Sequence, residues 1–219
     1  MEEENSNREH AVLERILTLK QIISEERGGP VELHELGICF FVLENFKQAN
    51  AYLSELLEKY PDYVEIATAY ALKVYCLIQL RDYKEALKQI EFRLSKMPRD
   101  VILLSLQSHI YEKKGKYRNA IDIHKKILEI DPDNINSLNS AGFLLTEHGR
   151  EDEQEAALSL ITKALKQNPT YPAYLDSLGV FLLKKGKKDQ ARKAFVKALR
   201  KAPGNSDILK HLKDLLKVK

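Results

Sequence analysis

The sequence has no tryptophan, only two cysteines, and just nine glycines and seven prolines in 219 residues. So little glycine and proline leaves few positions for long loops and favours helices joined by short turns. Cys39 and Cys76 are too few for the disulfide framework of a small secreted scaffold, and both read as small apolar core residues. No apolar run could span a bilayer, the longest strongly apolar stretch being residues 38–43. The chain opens on Met1-Glu2-Glu3-Glu4, acidic where a secretory signal would be basic, and a cytoplasmic location is expected.

Motifs that carry chemistry are missing as well. There is no phosphate loop, no nucleophile motif and no metal-ligand cluster. The histidines, His10, His34, His109, His124, His148 and His211, include no pair four residues apart. His34 and Cys39 are close in sequence but fall on different helical faces. Neither an enzyme activity nor a cofactor nor a metal is expected.

What the sequence does have is charge, unevenly spread. Its net charge of +3 divides into +10 for residues 184–219, with 13 Lys/Arg against 3 Asp/Glu, and −7 for the remainder. It also has a repeat. Prolines recur at Pro61, Pro98, Pro132, Pro169 and Pro203, at spacings of 37, 34, 37 and 34. Twelve residues before each stands an alanine (Ala49, Ala86, Ala120, Ala157, Ala191), and four before each a leucine (Leu57, Leu94, Leu128, Leu165, Leu199). The alanine suits a close crossing of two helices, where a larger side chain would push the axes apart. The leucine is eight residues on, on the same helical face, and the proline stops the helix.

A first helix precedes each of these second helices. Its close-contact column holds Gly37, Ser108, Gly142 and Gly179, with Val74 the exception, and three residues further are Phe40, Leu77, Tyr111, Leu145 and Leu182. Segments such as Leu36-Gly37, Gly115-Lys116-Tyr117-Arg118-Asn119-Ala120 and Leu178-Gly179 resemble the tetratricopeptide repeat, a helix–turn–helix, in a form common in bacterial proteins. The resemblance implies an all-α fold, a right-handed superhelical solenoid, with units at 30–63, 67–100, 101–134, 135–171 and 172–205. Two insertions interrupt the period. Val64-Glu65-Ile66 reads as an added turn of the second unit's first helix, and Glu151-Asp152-Glu153 as an acidic insert at the turn edge, a tolerated loop extension with a specific contact made there as the lesser reading.

Residues 206–219 supply a capping helix with Ile208, Leu209, Leu212, Leu215 and Leu216 on one side. Residues 1–29 supply an amphipathic N-terminal helix, with Ser6 as N-cap, Glu9 completing a capping box and an end near Arg27. Its stripe of Val12, Leu13, Ile16, Leu17, Leu19, Ile22 and Ile23 leaves three readings open: a cap on the first unit, a helix docked in or beside the groove, or self-association with a second copy.

The resemblance further implies a non-enzymatic scaffold or adaptor that binds a partner peptide or amphipathic helix in a concave groove lined by the first helices. Four columns face that groove: Val31, His34, Ile38 and Phe41; Thr68, Ala71, Tyr75 and Ile78; Ile102, Ser105, His109 and Glu112; Asn136, Asn139, Phe143 and Thr146; Ala173, Asp176, Val180 and Leu183. Some tetratricopeptide proteins clamp the C-terminal carboxylate of heat-shock chaperones with lysine and asparagine in these columns. The pairs here, from His34/Ile38 to Asp176/Val180, never supply that combination, and that function is set aside. Apart from the groove, at the last turn and on the outer face of the last second helix, stands a basic patch centred on Lys187, Lys188, Arg192 and Lys193. It gives an alternative, electrostatic binding of nucleic acid or an anionic membrane. The absence of aromatics among these charges argues against stacking on single strands, and neither nucleic acid nor membrane is the favoured partner.

Overall fold

A computed structural model describes the backbone of residues 2–217 and the side chains of residues 7–217. Among these residues every regular element is helical: α1 (Glu2–Ser24), α2 (Pro30–Val42), α3 (Phe46–Lys59), α4 (Ile66–Gln79), α5 (Tyr83–Lys96), α6 (Val101–Lys113), α7 (Tyr117–Ile130), α8 (Ile135–His148), α9 (Gln154–Gln167), α10 (Pro172–Lys184), α11 (Lys188–Lys201) and α12 (Ser206–Lys217). A short 3-10 turn, Glu151–Glu153, precedes α9. None of the described helices is long and apolar enough to cross a membrane. The chain forms two compact units, one ending at Leu106 and the next beginning at Gln107, within α6.

In the first unit α2 packs on α3 and α4 on α5, with α1 laid along α2. Ile16 and Leu19 of α1 are buried in one cluster with Leu33, Leu36 and Phe40 of α2. Arg15 anchors the same contact through two 2.6 Å hydrogen bonds to the Glu35 carboxylate. In the second unit α8 pairs with α9 and α10 with α11, and α12 covers α10 and α11. Ile208 and Leu215 of α12 enter the core there beside Leu175, Ala191 and Phe195.

The repeated columns acquire geometry. All five column alanines, Ala49, Ala86, Ala120, Ala157 and Ala191, are fully buried. Each repeat proline directly follows the C-cap residue of its second helix: Tyr60, Met97, Asp131, Asn168 and Ala202. These caps have φ between −131° and −139°, outside the helical well that a following proline disfavours. The glycines of the first helices lie against the second helix of the same hairpin. A Cβ added to Gly37 would stand 2.7 Å from Leu53 Cδ2, at Gly142 2.6 Å from Ile161 Cγ1, and at Gly179 2.4 Å from Phe195 Cε1.

Four hairpin turns end the first helix with a residue in the left-handed region: Glu44 (φ 54°), Arg81 (61°), Gly115 (67°) and Gly186 (73°). In each, two backbone bonds close the helix end, as from Asp82 N–H to Leu77 O at 2.9 Å and Arg81 N–H to Ile78 O at 3.0 Å. Gly149 departs from this set with φ −77° and ψ 163°, because the inserted 3-10 turn makes the connection there.

Three local expectations are corrected. Helix α1 begins at Glu2, so residue 6 lies inside the helix instead of capping it, and it ends at Ser24, where Glu26 turns left-handed (φ 56°). The first insertion lengthens a connection instead of a helix: α4 starts only at Ile66, and Val64 stands 89% exposed. The second insertion is not a free loop. Arg118 donates to both Glu153 oxygens at 2.8 and 3.0 Å, and Lys185 donates to Glu151 at 2.8 Å, so three hairpins of the second unit are tied through it.

Three predictions follow from these contacts. Gly179→Ala should destabilise by about 1–2 kcal/mol, because crowding of the immobile Phe195 ring outweighs the roughly 0.8 kcal/mol gain in helix propensity. Denaturant unfolding reads this, and an unchanged midpoint would mean the hairpin is looser than described. Arg81→Gly should stabilise by about 0.5–1 kcal/mol, since relief of a left-handed cost of roughly 1–2 kcal/mol exceeds the added unfolded-state entropy. The Arg118 hydrogen bonds, then that from the Arg150 amide, hold Glu153 at a pKa of about 2, down from 4.5. A depressed carboxyl stabilises fully above the unfolded value and loses that contribution as pH falls from 4.5 towards 2. Glu153→Gln should therefore be less stable at pH 7, on the order of 1 kcal/mol for a pair whose arginine stays half in water, with the difference from the parent chain vanishing in acid melts.

Candidate functional site

The first unit holds an apolar concavity of about 280 Å³ between α2, α4 and the start of α6. Phe41 of α2, Ala71, Leu72 and Tyr75 of α4, and Ile102 and Leu106 of α6 form most of its wall, with Ala67, Thr68 and Asp100 completing it. Tyr75 is tilted against Phe41 at 5.3 Å between ring centroids, and Phe46 backs Phe41 at 5.8 Å. That backing fixes the floor, while Tyr75 (40% exposed) and Ile102 (63% exposed) stand at the rim. Asp100 contributes the charge at this mouth. One of its oxygens accepts the Leu103 amide at 3.1 Å, at the beginning of α6.

The groove residues expected in this unit separate under the structure. Phe41 and Tyr75 line the concavity, together with Thr68, Ala71 and Ile102. Ile38 is exposed on α2 but does not line it. His34 is not a groove residue: it is only 2% exposed, because the lengthened connection folds over it. Its Nδ1 lies 3.3 Å from Tyr63 Oη and 3.4 Å from Glu65 Oε2, and burial pushes its pKa down. Ile78 is also buried, since Val74, Cys76, Leu77 and Ile78 put most of the α4 circumference into packing. Leu72 and Leu106 escaped the column reading. They occupy the sixth position of their units, and the signal was their apolar character beside a small neighbour at Ala71 and Ser105. None of the described side chains of α1 lines this concavity, and Ile16 and Leu19 pack on α2 instead.

The second unit presents a different surface. His109 is exposed, and Glu112 lies 3.8 Å from the buried His124 Nε2. Thr146 is fully buried, its hydroxyl donating to Gly142 O at 2.8 Å, so it too is removed from the groove set. Asn139 and Phe143 do line a concavity, of about 320 Å³, with Asp176, Ser177, Lys210 and His211. Its character is polar. The His211 Nδ1 lies 2.9 Å from Asp176 Oδ2, which raises the imidazole pKa, and the ring lies 6.3 Å from Phe143. Helix α12, which carries Asp207, Lys210 and His211, thus supplies one wall of this concavity. Lys187, Arg192 and Lys193 are exposed and Lys188 is half-buried, all at or on α11. No three side chains of the metal-ligating types converge among the described residues.

Comparison with known proteins places this geometry in a family. The model for the coatomer epsilon subunit matches residues 65–215, and the tetratricopeptide repeat model matches residues 33–63. A TPR repeat-containing protein of Pseudomonas aeruginosa is 29% identical over 160 residues, which is 73% of this chain and 26% of that protein. The chain spans about a quarter of the length of the curated relatives it matches. Among solved structures, a tetratricopeptide repeat protein from Parabacteroides merdae superposes with a TM-score of 0.71 at 17% identity, over 85% of this chain and 72% of that one. YrrB, described as a TPR protein with an unusual peptide-binding site, gives 0.63 at 20% identity, over 89% and 97%.

Proposed function

The chain belongs to the tetratricopeptide repeat proteins and, through the match over residues 65–215, to the coatomer epsilon subunit family, and on that premise we propose a non-catalytic scaffold that grips a partner through its first unit. The partner is a peptide or amphipathic helix that places an apolar side chain in the concavity of α2, α4 and α6. The apolar wall of that concavity carries the reading: Phe41, Leu72, Tyr75, Ile102 and Leu106 surround a space of about 280 Å³, room for one large aliphatic or aromatic side chain. Two of these residues remain substantially in water, where an apolar cluster gains most from being covered. Asp100 at the mouth favours a hydrogen-bond donor or a basic group beside the apolar anchor.

Selection of peptides from a random library on the purified chain tests this. The enriched peptides should share an apolar anchor flanked by a basic or donor residue. Tyr75→Ala should weaken them by about 2 kcal/mol, roughly thirty-fold, as loss of a central aromatic contact does. Ile102→Asp should weaken them comparably without lowering the melting temperature, because Ile102 makes little use of its side chain in the fold. Peptides bound equally well by both variants would place recognition elsewhere and end this reading.

A further inference from the structure

Helix α12 has two apolar sides. Ile208 and Leu215 enter the core of the second unit. Leu209, Leu212 and Leu216 recur at steps of three and four residues along an adjoining strip of the helix. On that strip Leu216 is 71% exposed, Leu209 37% exposed and Leu212 half-buried. Each of the three leucines is followed directly by a lysine: Lys210, Lys213 and Lys217. Lys217 pairs with Asp214 at 2.8 Å and Lys210 lines the polar concavity. Lys213 is exposed and enters no ion pair among the described residues. The strip is an apolar surface with a basic edge, presented by a helix whose other side is fixed in a core.

The concavity of the first unit is its chemical complement. The wall there is apolar, and at the mouth Asp100 uses one oxygen on the Leu103 amide while the other has no partner among the described residues. Net charge has the same sense. Residues 1–106 hold 13 Lys/Arg against 18 Asp/Glu, a net of −5, and residues 107–219 hold 22 against 14, a net of +8. Other exposed apolar strips lack the matching sign. Leu13 and Leu17 of α1 adjoin Glu14, and Val31, Ile38 and Val42 of α2 adjoin Glu32 and Glu35, carboxylates that Asp100 disfavours. Phe92 of α5 is exposed beside cations, but Lys96 lies over its ring at 4.5 Å and Arg93 over that of Tyr70 at 5.3 Å.

We propose that the first-unit concavity takes the α12 strip of a second copy of this chain, so that copies associate head to tail. The proposal rests on the reading of that concavity as a site for a peptide or amphipathic helix, and it names the helix. Leu209 and Leu216 are about 10 Å apart along α12, roughly the separation of two packed helices. Leu216 fills the hollow, which has room for one large aliphatic side chain, while Leu209 rests against the adjoining helix. Lys213, three residues before Leu216 and on the same side of α12, faces the free oxygen of Asp100. The contact uses different surfaces on the two copies. Each pair therefore keeps one concavity and one α12 strip unused, and association can continue.

Sedimentation velocity of the purified chain, from about 5 to 200 µM, tests this through the asymmetry of the contact. The mean mass of the parent chain should rise with concentration. Leu216→Asp removes the anchor and Tyr75→Ala the wall that receives it, and each variant alone should stay monomeric. Leu216→Asp should melt with the parent chain, because the side chain it replaces is mostly in water. Mixed in equal amounts, the two variants should form a one-to-one complex and nothing larger, since only the α12 of Tyr75→Ala and the concavity of Leu216→Asp are intact. Lys213→Glu, which leaves every apolar contact in place, should weaken association about tenfold. Library-selected peptides separate this proposal from the reading beneath it: Leu216→Asp should bind them as the parent chain does, and Tyr75→Ala should not. A parent chain of constant mass, a Leu216→Asp variant that associates like the parent, or a mixture that stays monomeric overturns the second copy as occupant. The concavity itself is set aside only if the peptides bind Tyr75→Ala as well as they bind the parent.

Discussion

One contact sets the spacing on which the remaining geometry depends: a small residue in the first helix of a hairpin lies directly under a large residue of the second. Gly37 lies under Leu53, Gly142 under Ile161 and Gly179 under Phe195, each with no room for a further carbon. Such an approach fixes the interaxial distance, and the facing column can then hold nothing larger than alanine. Unit two breaks the pattern with Val74. There α4 and α5 approach less closely than α2 and α3, α8 and α9, or α10 and α11. The helix that departs from the rule is also the one that supplies Ala67, Thr68, Ala71, Leu72 and Tyr75 to the apolar concavity. A valine in the close-contact column and a usable hollow occur on the same helix.

Once the hairpins are held at that distance, their outward faces are free to differ. In the first unit apolar side chains such as Leu17, Ile38, Val42, Tyr75 and Ile102 remain exposed. In the second, charge takes their place, and much of it is structural. Two insertions of equal length illustrate the difference. Residues around Val64 fold back over His34 and take a histidine out of the groove. Residues 151–153 join Arg118, Arg150 and Lys185 into one network at the turn edge. In each case the added residues changed what a neighbouring side chain could do without disturbing the columns.

That difference explains what could be read from the amino acids alone. The helices, the prolines after each C-cap and the buried alanines were legible because each is dictated by one local contact repeated five times. The lining of the concavity is legible in the sequence only where repetition also governs it. Phe41 and Tyr75 stand in columns set by helical phase, and they line the concavity. His34 and Thr146 stand in the same columns but are buried, one by a connection of unusual length and the other by a hydroxyl that turns back to Gly142. Neither cause has a counterpart in the other units. The pairing of the inserted Glu153 escapes local pattern for a related reason. Its partner Arg118 is thirty-five residues away, on another hairpin, and no local pattern announces the pairing.

Departures from local rules that the fold compensates differ from those it does not. Glu44 and Arg81 adopt a left-handed conformation that suits glycine, yet each closes its helix end with two backbone bonds and leads directly into an N-cap, Asn45 or Asp82, that accepts an amide of the next helix. The strain is local, and so is its offset. Lys184 opposes nothing, since a cation at the C-terminal carbonyls of α8 satisfies groups the helix leaves open. Lys187 and Lys188, by contrast, stand at the positive N-terminal end of the α11 dipole, where a cation is disfavoured. Arg200 and Lys201 lie in the last turn of the same helix, where the dipole favours them, and α11 is held by its opposite face, where Ala191, Ala194, Phe195 and Ala198 are buried.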